Sequence, residues 1–269
     1  MKIKNIYTGE TNFSKLTLVK NNPFVKVERF LSILNESCQA NYYHNKQNLK
    51  IYVVDKMNFD SVGAAYSTTE NAIYIENNTE HLTHELMHMA STDHHGKEPV
   101  SFSTHPLLED ELIAFEEGMA EFLSSKINKE PIATYGINSF VAKMLYTTDS
   151  RIVIPFFCAN SQKFLDMFSE IDILNVLNNL SILHYNNFFG TDLNPDFEEQ
   201  GYQECFHDLL DSLLDIELQR KRTSKETKRY RDIFLSSLQE EVIKCEIEDL
   251  SEDYHNKAKR LIDSRLRRR

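Results

Sequence analysis

The chain has no tryptophan, only 7 glycines and 6 prolines among 269 residues, and just 4 cysteines. So little glycine and proline excludes collagen-like, elastomeric and β-rich repeat designs. The cysteines (Cys38, Cys158, Cys205 and Cys245) are widely scattered and form no CxxC pair. They read as free, mostly buried thiols of a reducing compartment. No apolar run approaches the roughly 18 residues of a membrane helix; the best is Ile152 to Cys158. Met1 to Lys20 carries charges but neither an apolar core segment nor a small-residue cleavage site, so the expected location is cytoplasmic, away from any membrane.

Positive charge is scarce too. Lys and Arg number 30 against 41 Asp and Glu, leaving a net charge of −11. A phosphate backbone needs clustered positive charge, so no nucleic-acid partner is expected. Arg220 to Arg231 is the first basic exception, and Lys257 to Arg269 the second, with seven Lys or Arg against Asp263 alone. Both read as solvated helix faces and a tail. The apolar fraction of 41% is ordinary for a folded protein. A chain of this length buries about 70–75% of its unfolded surface and needs no disulfide staples.

Apolar residues recur at three- and four-residue steps from Pro23 to Tyr43, which predicts a helix. Leu49 to Val54 is a β-rich run, and Ala65 to Ile75 reads as its neighbour in a small sheet. Within the latter, Ser67 to Asn71 is either a turn or the exposed part of one edge strand. Asn77 followed by Glu80 has the form of a capping box, so a helix is expected from there, with Leu82, Leu86 and Met89 as its buried stripe. Ser91 to His105 is polar and contains Gly96 and Pro99, hence a loop or short hairpin. Helix resumes over Leu107 to Ser125, and beyond Tyr135 nearly everything is helical. The Asn187 to Gln200 segment, with Gly190 and Pro195, is the expected boundary. That divides the chain into residues 1–190, a domain with the small sheet, and residues 191–269, a helical part with a basic tail.

One stretch carries chemistry: His81-Leu-Thr-His84-Glu85-Leu-Met-His88. His84 and His88 are four apart, so on a helix their rings leave the same face one turn apart. That spacing lets two imidazole nitrogens reach one Zn²⁺ at about 2.0–2.1 Å. Glu85 is displaced around the helix, where its carboxylate can take a proton from a water at the metal without itself binding. Random placement of 10 His and 25 Glu would produce HExxH roughly 0.03 times in a chain like this.

Two His leave zinc short of the three protein ligands of a catalytic site. His94, six residues after His88, is one candidate; it occupies the third position of an HExxHxxGxxH pattern, but Ser91 stands where that pattern has glycine. The other lies in Phe115-Glu116-Glu117-Gly118-Met119-Ala120-Glu121. HELMH followed by EEGMAE resembles the gluzincin metallopeptidases, in which a second helix supplies a Glu from such a segment. It is similar both to the NEGFAE-type segment of zinc aminopeptidases and to small bacterial proteins with HELxHxAS followed by NEGYTE. The resemblance spans roughly Leu49 to Tyr146. It implies one zinc per chain on His84, His88 and Glu117, with Glu85 as general base and Glu121 orienting a ligand histidine. The gap of 29 residues from His88 to Glu117 is longer than in the best-known gluzincins, and the Ser91 to His105 stretch is the insertion that absorbs it.

Peptide hydrolysis also calls for a donor to the developing oxyanion, commonly Tyr or His. Tyr135 is the first choice because the small bacterial relatives have a similar Tyr; Tyr146 and His184 are rivals. His81, His95 and His105 read as partly exposed or rim residues. In zincin folds an edge strand pairs with an extended substrate, and Ala64 to Ile75 occupies that place. The expectation is therefore an α+β, zincin-like fold with a small mixed sheet, an HExxH helix and a mostly helical C-terminal part. The expected activity is zinc-dependent hydrolysis of a peptide or protein substrate. The rival is a zinc-stabilised binding or regulatory module that cleaves nothing; intact Glu85 argues against it.

Overall fold

Pro23 fixes φ at the first position of a helix, where its missing N–H is not needed, and a computed structural model places α1 over Pro23–Leu31. The structure describes residues 3–8, 22–54, 63–76, 81–189, 199–240, 243 and 252–266. The single helix expected from Pro23 to Tyr43 is in fact two. After Ser32 the chain turns, and Asn35 starts α2 (Glu36–Asn48) by accepting the backbone N–H of Cys38 at its side chain. A good N-cap residue in mid-pattern outweighed the continuity of the apolar stripe.

The sheet has four strands: β1 (Ile3–Thr8), β2 (Lys50–Val54), β3 (Ala64–Ser67) and β4 (Ala72–Ile75), in spatial order β1-β2-β4-β3. It is mixed, because β2 runs parallel to β4 while β1 pairs antiparallel with β2, and β3 with β4. Strand β1 has no counterpart in the sequence reading. The Ser67 to Asn71 stretch is a turn, closing a β3–β4 hairpin, with Asn71 in the left-handed region at φ 46°. Asparagine tolerates that conformation better than most residues. Strand β3 lies at the end of the sheet order.

The parallel step from β2 to β4 delivers the chain to α3 (Leu82–Ala90), which packs on α1, α2, β3 and β4. The capping box at Asn77 and Glu80 lies outside the described residues, and the described helix starts after His81. Eleven α-helices are present among the described residues. After α3 come α4 (Glu109–Asn128), α5 (Gly136–Thr148), the short α6 (Val153–Phe157) and α7 (Ser161–Leu165), and α8 (Glu170–Phe189). They are followed by α9 (Glu199–Leu218), α10 (Ser224–Ser237) and α11 (Glu252–Leu266). None of the described helices is long and apolar enough to cross a membrane.

The chain forms two compact units, each drawn from several stretches of sequence. One contains Met1–Thr104, Leu123–Glu130 and Val153–Ser161; its core joins Phe24, Val27, Tyr42, Ile51, Ile73 and Leu86, all at 0% exposure. The other contains His105–Phe122, Pro131–Ile152 and Gln162–Arg269, with Phe115, Phe140, Phe164, Leu180, Phe206 and Phe234 buried. In this second unit a buried ion pair secures the end of α5. Glu217 accepts from Arg222 at 2.9 Å and from the Thr148 hydroxyl at 2.9 Å, and Arg222 also donates to the Thr148 carbonyl. Among the described residues, Cys38, Cys158 and Cys205 are in no disulfide, and burial pushes the Cys205 thiol up.

Candidate metal centre

Helix α3 is buried almost all round, with only His88 partly open. His84 is 6% exposed and Glu85 5%. Charged and polar side chains are rarely buried without a purpose, so an accidental solvated His/Glu face is excluded.

The end of α3 is tied down by side chains. Ser91 Oγ and Thr92 Oγ1 both donate to the His88 carbonyl, at 3.1 and 2.8 Å. Asn45 on α2 donates to the carbonyls of Met89 (2.8 Å) and Thr92 (2.7 Å), and the Asn71 amide donates to the Asn45 carbonyl at 2.7 Å. The residues after HExxH thus serve to hold the turn that carries His88. Asn45→Ala would remove a buried donor from both carbonyls, leaving Met89 only its backbone partner, and should cost about 1–3 kcal/mol, read as a lowered urea midpoint.

The two ring Nε2 atoms of His84 and His88 lie 3.0 Å apart. Two nitrogens bound to one tetrahedral zinc at its usual bond length would be about 3.3–3.4 Å apart. Glu117 on α4 completes the group: ligand atoms of His84, His88 and Glu117 all lie within 4.8 Å of one another. Two imidazoles and a carboxylate suit a borderline cation such as Zn²⁺. No other such group of three or more occurs among the described residues. His94 is not part of it; its Nε2 sits 3.0 Å from the Tyr66 hydroxyl, which donates to Asn71. Burial, with the neighbouring His44 adding, pulls the His94 pKa down, and Asp93 opposes this. His95 pairs with Asp93 at 2.8 Å, and Asp93 forms a bridge with Val100 that makes the polar stretch a small hairpin. His105 accepts the backbone N–H of Leu107 at 3.3 Å. His81 is half-buried, its ring 3.1 Å from where a Cβ on Gly63 would sit.

The acids along α4 divide sharply. Glu109 is exposed and Glu117 half-buried, whereas Glu116 and Glu121 are 5% and 6% exposed. Glu121 Oε1 accepts the backbone N–H groups of Ala133 (3.0 Å) and Thr134 (3.3 Å), which fastens the loop leading to Tyr135. Tyr135 then takes a left-handed backbone, φ 51°, at the entry to α5. A bulky residue there is costly and persists only where its surroundings enforce it. Its ring stacks on His184 of α8, centroids 6.0 Å apart, so two of the candidate oxyanion donors are neighbours. The third, Tyr146, packs against Phe122 at 5.3 Å.

Gly118, next to Glu117, is a point of helix contact. A Cβ placed there would sit 2.2 Å from the Asn138 carbonyl oxygen on α5. Ala normally stabilises a helix over Gly by about 1 kcal/mol. Here the overlap is with backbone, and such overpacking costs about 1–3 kcal/mol or more. Gly118→Ala should therefore destabilise, lowering the urea midpoint; a gain in stability would show that α4 and α5 do not approach this closely.

Asn138, 1% exposed, donates from Nδ2 to the Ala114 carbonyl at 2.7 Å and to His184 Nδ1 at 3.0 Å. Burial holds the His184 imidazole below its usual pKa range, and the Glu117 carboxylate opposes that. Sequence reasoning missed Asn138 entirely; the one hint was a glycine inside a good helix. Compared with protein-family models, curated proteins and solved structures, the chain matches none.

Proposed function

We propose that the protein is a zinc metallopeptidase of gluzincin type. The observation that carries this is the group His84, His88 and Glu117 beside a buried Glu85. Zinc held by these three would lower the pKa of a water and polarise a substrate carbonyl. Glu85 takes the proton from the attacking water and returns it to the leaving amine. Its burial removes competing solvent, which strengthens its electrostatic action. Glu121 supports the site through the loop before α5 and, as the resemblance implies, by orienting a ligand imidazole. Tyr135, whose ring stacks on His184, would be the donor to the carbonyl oxygen. At the end of the sheet, β3 offers backbone groups to an extended peptide, so recognition would be directed largely to main chain.

A zinc-stabilised binding module is served less well. Closed structural zinc sites use four protein ligands, and the group among the described residues supplies three. The test is hydrolysis of a mixed peptide library by the zinc-loaded protein, with and without chelator. Cleavage that stops on chelation and returns with zinc supports the reading. Cleavage indifferent to chelator, or none from fully zinc-loaded protein, overturns it.

A further inference from the structure

The Asn138 amide has its orientation set by chemistry. The Ala114 carbonyl can only accept, so the atom 2.7 Å from it must be the amide nitrogen. The same nitrogen lies 3.0 Å from His184 Nδ1 and donates its second hydrogen there, so Nδ1 must accept. A neutral imidazole accepting at Nδ1 carries its one proton on Nε2. A backbone carbonyl of α4 thereby dictates, through one side chain of α5, which nitrogen of a histidine on α8 is a donor.

We propose that Asn138 is a positioning residue that holds His184 in the Nε2–H tautomer, giving the metal-binding carboxylate of Glu117 a fixed neutral donor. Three observations converge on it. Asn138 and His184 are 1% and 7% exposed, so water does not supply the alternative tautomer cheaply. Tyr135 stacks on the ring and limits its rotation. Glu117 adjoins Gly118, where Asn138 meets α4, and the Asn138 amide bonds His184, so the histidine is held at the turn that carries Glu117. Carboxylate ligands are commonly oriented by such hydrogen-bonding partners, whose loss weakens metal binding about 10–100-fold. The inference rests on Glu117 as a zinc ligand, and it does not require that the protein cleave anything.

The test has two readouts, both blind to hydrolysis. In the full-length, metal-free protein, long-range ¹⁵N–¹H correlation spectra of His184 should show Nε2 protonated and Nδ1 bare. Asn138→Asp, which can donate to neither partner, should move the proton to Nδ1. A wild-type ring protonated at Nδ1, or an unchanged spectrum in N138D, overturns the proposal. Zinc affinity, measured by competition with a chelator, should fall about 10–100-fold in His184→Leu. It should largely recover in His184→Gln, whose amide both accepts and donates. Wild-type affinity in folded H184L also overturns it. A protein that shows these zinc and tautomer effects but cleaves no peptide would fail the peptidase reading alone.

Discussion

Glu85→Gln should leave zinc content unchanged and reduce peptide hydrolysis by about 10²–10⁴-fold, the usual contribution of a positioned general base. The substitution is nearly isosteric, and Glu85 is only 5% exposed. Shape and packing of α3 are therefore retained. The atoms that could hold a metal belong to other side chains, so metal affinity has no reason to change. What is lost is a group that can hold a proton and release it. The measurement pairs the hydrolysis rate with zinc content in the same preparation. A variant that keeps both zinc and full activity would remove Glu85 from the chemistry. A variant that loses zinc would make Glu85 part of the metal's support.

Glu117→Ala should weaken zinc binding by more than the roughly 10–100-fold typical of an outer partner, because it removes one of three donors outright. Glu121 provides the comparison within the same helix. Glu121→Ala releases the backbone N–H groups of Ala133 and Thr134, so its effect should be smaller on zinc and visible in the loop before α5. Chelator competition on both variants measures the difference. Equal losses would mean that Glu117 has no privileged place among the acids of α4.

The part of the site that is local in the chain was legible in advance. His84 and His88 share a face because of helix periodicity alone, and Glu85 is placed by the same geometry. Glu117 was reachable only through the resemblance of EEGMAE, since nothing in its spacing from His88 brings two helices together. Asn138 was out of reach: its importance comes from a Gly118 contact and two hydrogen bonds that exist only once α4, α5 and α8 are packed. The fold shows the same division. The β3–β4 hairpin follows from a polar turn between apolar runs, and the break before α2 follows from Asn35 once its capping bond is seen. The interleaving of two units does not follow, because it depends on which distant segments pack together.

Metal analysis of the purified wild-type protein by mass spectrometry decides whether His84, His88 and Glu117 form one metal site. About one zinc per chain is expected, retained through gel filtration and much reduced in Glu117→Ala. No zinc, even after reconstitution with excess metal, would contradict it.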